Sequence, residues 1–106
     1  MSEKTSRVAG STIVEPEVLE GLVRLAAENS KGVNRIFSTS SNSGIKIRID
    51  EKKVNVDVYV VMNKRENLVE TAKKLQSNIA RSVSEIVGME VGNINVHVED
   101  IEYELK

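Results

Sequence analysis

Residues 54–62 read VNVDVYVVM. Val54, Val56, Val58, Val60 and Met62 share one parity, while Asn55, Asp57, Tyr59 and Val61 share the other. A strict period of two predicts a half-buried strand, because successive side chains leave opposite faces of a pleated backbone. Valine suits such a surface. The pattern therefore predicts a central strand with one face on a core and the other open.

The flanking patterns supply its neighbours and cover. GSTIV, residues 10–14, reads as a short extended segment after a polar tail over 1–9. Glu15-Pro16 ends it, and a helix is expected from Pro16, since proline disfavours helix just before itself and suits the first helical position. Val18, Leu22, Leu25 and Ala26, with Leu19 and Val23 alongside, give its apolar stripe. Lys31-Gly32 is the expected stop. Val33–Phe37 reads as a short extended piece of poor periodicity, and STSSNSG, residues 38–44, as a mobile surface loop. Ile45, Ile47 and Ile49 then alternate with Lys46 and Arg48. Only Asp50-Glu51-Lys52-Lys53 separates this strand from the central one, which predicts an antiparallel hairpin.

Asn67 is a plausible helix cap with Glu70 three residues on. Leu68, Ala72, Leu75, Ile79, Val83 and Ile86 step by three or four, predicting a long helix to Val87 that Gly88 stops. Ile94, Val96 and Val98 alternate with Asn95, His97 and Glu99, after which Ile101, Tyr103 and Leu105 change parity. A bulge near Glu99-Asp100 would account for the change. Two amphipathic helices and strands with one apolar face each imply an α+β two-layer sandwich: a mixed or antiparallel sheet of three to five strands, both helices on one face, in one domain over 10–106.

Composition narrows the function. The chain has 106 residues, enough for one domain. Its formal net charge of −1 argues against a dedicated nucleic-acid binder, whose affinity comes from excess Lys and Arg. Without cysteine there is no disulfide frame, thiolate nucleophile or thiolate metal site. The charged MSEKTSRVAG start has no apolar h-region, and no apolar run approaches the roughly 20 residues of a membrane span. A cytoplasmic protein that reaches a membrane only through a partner is expected.

Chemistry is sparse. His97, the one histidine, falls on the predicted polar face with Asn95 and Glu99, and Asp57 and Tyr59 could lie on a neighbouring strand. One histidine among scattered carboxylates is a weak metal site, and a solvent-facing strand residue is the simpler reading. The loop serines have no base or oxyanion hole signalled beside them. The glycines form no phosphate-cradling motif. Glu99, Glu102 and Glu104 read as a solvated acidic run rather than the carboxylate pair of a glycosidase. No catalytic, cofactor or metal residue is assigned, and no enzyme is expected. The open face, with Lys46, Arg48, Asp57, Tyr59 and His97, is the candidate surface for a protein partner or a second copy. RNA binding through Lys46, Arg48 and Tyr59 is a weaker alternative, because the face is mixed in sign and holds one aromatic.

The same stretches form a family pattern: GSTIVEPEVL from Gly10, LAAE from Leu25, KGV from Lys31, GIKI from Gly44, VNVDVYVV from Val54, Leu75-Gln76, and GMEVGNINVHV from Gly88. In order and spacing, from about Val8 to Tyr103, this resembles the alkaline shock protein family of Gram-positive and related bacteria. The resemblance implies a non-enzymatic cytoplasmic protein of cell-envelope stress response or homeostasis, which self-associates and binds a membrane-anchored relative. It offers no catalytic residues to carry over. Some relatives are connected with fatty-acid synthesis, so a regulator of a lipid-synthesis enzyme is the alternative. Asn63–Asn67 stands where many members carry an aromatic-glycine pair.

Overall fold

The computed structural model describes residues 15–86 and 88–102. The expected extended segment at 10–14, the tail over 1–9, Val87, and Tyr103 and Leu105 lie outside them. The described elements run α1 (Pro16–Glu28), β1 (Val33–Ile36), β2 (Ile45–Asp50), β3 (Lys53–Asn63), α2 (Leu68–Ser84) and β4 (Glu90–Glu102). The two-layer α+β sandwich expected from the sequence is the fold observed.

β3 is the central strand. β4 pairs parallel to it along its whole length, from Lys53↔Glu90 to Asn63↔Glu102. Its other edge is shared. β2 runs antiparallel from Ile45↔Val58 to Asp50↔Lys53, and β1 antiparallel from Val33↔Met62 to Ile36↔Val60. The Phe37 N–H donates to the Tyr59 carbonyl (2.7 Å), and the Tyr59 N–H donates to the Gly44 carbonyl (2.8 Å). β1 and β2 are thus two halves of one edge strand, interrupted by the exposed loop over 38–43. The sheet is mixed, and α2 is the crossover that parallel neighbours require.

One contiguous core holds Val54, Val56, Val58, Val60 and Met62 of β3 against Val23 and Ala27 of α1 and Leu75, Ile79 and Val83 of α2. α2 starts as expected, with Asn67 Oδ1 accepting from the Glu70 N–H (3.0 Å). It stops at Ser84, short of the expected Val87. Glu85 is the C-cap, and Ser84 Oγ donates to the Arg81 carbonyl (2.8 Å). α1 likewise ends before its expected stop. Asn29 caps it, and Ser30 Oγ takes the Ala26 carbonyl (2.9 Å).

The expected stripe of α1 is buried only in part. Leu19, Val23 and Ala27 are fully buried, whereas Val18 and Leu25 are 54% and 59% exposed. The helix carries two overlapping apolar stripes, and packing in the core takes the one with Val23 and Ala27. Ser30 Oγ accepts from Asn78 Nδ2 of α2 (2.8 Å) on one flank. On the other, Arg24 reaches Glu20 (3.1 Å) and the Ser43 carbonyl (3.3 Å).

β4 has 13 residues against the 11 of β3. The excess is two bulges. The first lies between the pairs Val54↔Val91 and Val56↔Ile94, and the second between Val60↔Val98 and Val61↔Asp100. The second is the parity break anticipated at Glu99-Asp100.

Candidate functional site

The face of β3 turned from the helices is organised by side chains from three strands. Alternation points Asp57 and Tyr59 outward. The β2 register sets Lys46 beside Asp57, and the β4 register sets Asn95 beside Asp57 and His97 beside Tyr59. Asp57 Oδ1 bonds His97 Nε2 at 2.9 Å and accepts from Asn95 Nδ2 at 3.1 Å. The hydrogen bond with His97 chiefly holds the Asp57 carboxyl below its ordinary value. Burial opposes it, while Asn95 and the charges of His97 and Arg48 add to it. The rings of Tyr59 and His97 stack with centroids 4.4 Å apart and planes 13° apart. Lys46 Nζ lies 5.6 Å from the centroid of Tyr59.

Five residues proposed from the sequence as a partner-binding face therefore do share one face, and four of them, Lys46, Asp57, Tyr59 and His97, form a connected chain. Arg48 lies on the same face and acts on Asp57 through its charge. Glu99, expected beside His97, instead occupies the second bulge. The arrangement bears on the RNA alternative. Lys46 arrives from β2 and His97 from β4, so the tyrosine ring already carries a stacked imidazole and a nearby ammonium. A base stacking on that ring would compete with these contacts.

Two features of this face carried no clear sequence signal. Asn55 fills the first β4 bulge, its Oδ1 accepting from the Asn93 N–H (2.8 Å). A Cβ at Gly92 would press on that same oxygen, so any larger residue there must displace the Asn55 side chain. The other feature is Arg35 of β1, which reaches across β3 to Glu102 of β4 (3.2 Å). This bridge crosses beside Val61, which is fully buried although its parity puts it on the face expected to be open.

Chemically, the polar groups of this face are engaged mainly with one another. A carboxylate–histidine pair can serve as a proton relay when it activates a nucleophile. Here the pair is bonded within itself and to Asn95, and the ring of His97 is stacked on Tyr59. Among the described residues, no three of His, Cys, Asp and Glu come close enough to share a metal ion. No described helix is long and apolar enough to cross a membrane.

The large exposed apolar side chains are spread over the fold, on α1 (Val18, Leu25), β2 (Ile49), α2 (Val69) and β4 (Val98, Ile101). Val98 and Ile101 of β4 are 41% and 42% exposed, although their parity faces the helix layer, and Val69 of α2 is also exposed. Among the described residues the outer edge of β4 has no partner strand, and Gln76 Nε2 of α2 donates to its Ile94 carbonyl (2.9 Å).

Comparison with known proteins supplies the setting. Two Bacillus subtilis (strain 168) proteins are each 23% identical to the chain. The match to YqhY covers 92% of this chain and 81% of YqhY, and the match to YloU covers 94% and 83%. Solved structures of the MamM CTD share the fold. One aligns with a TM-score of 0.64 at 13% identity, covering 81% of this chain and 99% of that one. A variant aligns at 0.58 and 17%, covering 83% and 100%. Residues 4–103 match the model of a family described by a cell envelope-related function, and the chain belongs to that family, the alkaline shock protein 23 family.

Proposed function

We propose that this protein is a non-enzymatic scaffold of the cell envelope, which works in the cytoplasm by self-association and by binding a membrane-anchored relative. The observation that carries the reading is the outer edge of β4. A strand of 13 residues ends the sheet there with no described partner, and Val98 and Ile101 stand exposed beside it. An unpaired edge is a template for another strand, and soluble monomers usually blunt such edges. The envelope setting rests on family membership. The polar face of β3, with its side chains tied to one another, suits recognition more than turnover.

Light scattering after size exclusion, at low and high protein concentration, tests the reading. A stable dimer, or a mass that grows with concentration, is expected. A monomer throughout the range would overturn self-association.

A further inference from the structure

β4 is self-complementary about Val96. Its side chains on the helix-layer face are Val91, Ile94, Val96, Val98 and Ile101. Ile94 and Val98 lie two residues either side of Val96, and Val91 and Ile101 lie five either side. A strand of regular period two could not give this set. It arises because each half of β4 carries one bulge, Gly92-Asn93 before Val96 and Glu99-Asp100 after it. The two irregularities fall at matching distances from the centre.

We infer that two copies join by antiparallel pairing of β4 with β4, about a two-fold axis through Val96. This rests on the self-association proposed above and names its interface. A two-fold contact requires a surface complementary to itself. In this register Val96 meets Val96 of the second copy, Ile94 meets Val98, and Val91 meets Ile101; the Ile94 carbonyl, which accepts from Gln76 Nε2 of α2 (2.9 Å), must share or release that donor on pairing. Between these pairs each strand contributes two residues, so the bulges stay in step. On the other face Asn95 meets His97.

The charges also favour the antiparallel sense. Asp100 and Glu102, with Glu99 between strand partners, concentrate acid at the C-terminal end of β4, while residues 91–96 carry no charge. A parallel pair would set acid beside acid, which is destabilising. The antiparallel pair sets Glu99 and Asp100 against Asn93 and Gly92. Glu90 and Glu102 do meet at the two extremes, where Arg35 already bonds Glu102. The exposed Val98 is covered by the Ile94 of the second copy, and Ile101 by its Val91. One continuous sheet results, with the helices of both copies on the same side.

The absence of native cysteine makes the test clean. Opposed residues of an antiparallel pair have Cα atoms about 4.5–5.5 Å apart, within the span of a disulfide. The Val96→Cys variant should therefore form a disulfide dimer under mild oxidation. Val98→Cys alone should not, since its two copies would stand roughly 13 Å apart along the strands at about 3.3 Å per residue. Mixing Ile94→Cys with Val98→Cys should restore cross-linking at least tenfold over either alone. A dimer by light scattering in which Val96→Cys cross-links no better than Val98→Cys overturns this interface and leaves self-association standing. A monomer at all concentrations, with no cross-link, overturns both.

Discussion

Val58 and Tyr59 are neighbours in the chain and face different worlds. Val58 enters a core of apolar side chains from both helices and all four strands. Tyr59 enters a row in which each group is held by a directional contact: Lys46 over the ring, His97 stacked on it, and Asp57 bonded to His97 and Asn95. The two faces of β3 are built on different physics. Burial of apolar area is non-directional and roughly additive, so the helix-side face needs side chains of about the right volume. Hydrogen bonds and ring contacts fall off steeply with geometry, so the other face needs particular residues in register.

Substitutions can break this contrast. The largest effect is expected on the helix side. Met62 is fully buried, and Met62→Ala should lower the unfolding free energy by about 2–5 kcal/mol in urea titration. Next comes the bulge that registers the polar face. Gly92→Ala drives a methyl against Asn55 Oδ1 and should cost about 1–3 kcal/mol. Because the clash is with that side chain, combining it with Asn55→Ala should cost less than the two single changes summed, in a double-mutant cycle.

The polar row itself should matter less to stability. Asp57→Asn should cost about 0.5–1.5 kcal/mol at neutral pH, the net worth of a typical hydrogen bond. The folded-state pKa of Asp57 is depressed, so the folded protein binds this proton more weakly than the unfolded chain does. Its contribution is complete above the unfolded value of about 3.9, and is lost as pH falls through the lower folded value. Unfolding titrations of wild type and Asp57→Asn should therefore differ by a constant amount above about pH 5 and converge in stronger acid. Convergence on raising the pH instead would show that the carboxylate is not the stabilised form. The smallest effect is expected at Val18, where Val18→Ala should change stability by less than about 0.5 kcal/mol. A cost as large as that of Leu19→Ala would mean that the exposed stripe of α1 is covered in solution.

Much of the fold was legible because its signals are local. The alternation of β3, the stepping of α2, its Asn67 cap and the short β2–β3 link each depend on residues close in sequence, and each is found where expected. The polar face was legible too, since parity alone assigns Asp57, Tyr59 and His97 to one side of their strands. What failed did so where two local solutions compete. Val18, Leu22 and Leu25 make as good a helical stripe as Leu19, Val23 and Ala27, and nothing within α1 ranks them. The helix ends were read from glycines, but Ser30 and Ser84 satisfy carbonyls earlier through their hydroxyls.

By itself, then, the sequence determined element type, the two-layer architecture and the composition of each face, since periodicity is a property of the chain. Tertiary structure decided which strands are neighbours. It merged β1 and β2 into one edge, ran β4 parallel to β3, and turned α1 by about one residue. It also closed Arg35 onto Glu102 across β3 and buried Val61. These outcomes depend on contacts between residues far apart in sequence, such as the 67 positions separating Arg35 from Glu102. Their free energy exists only once the chain has brought both partners together, and no local pattern encodes it.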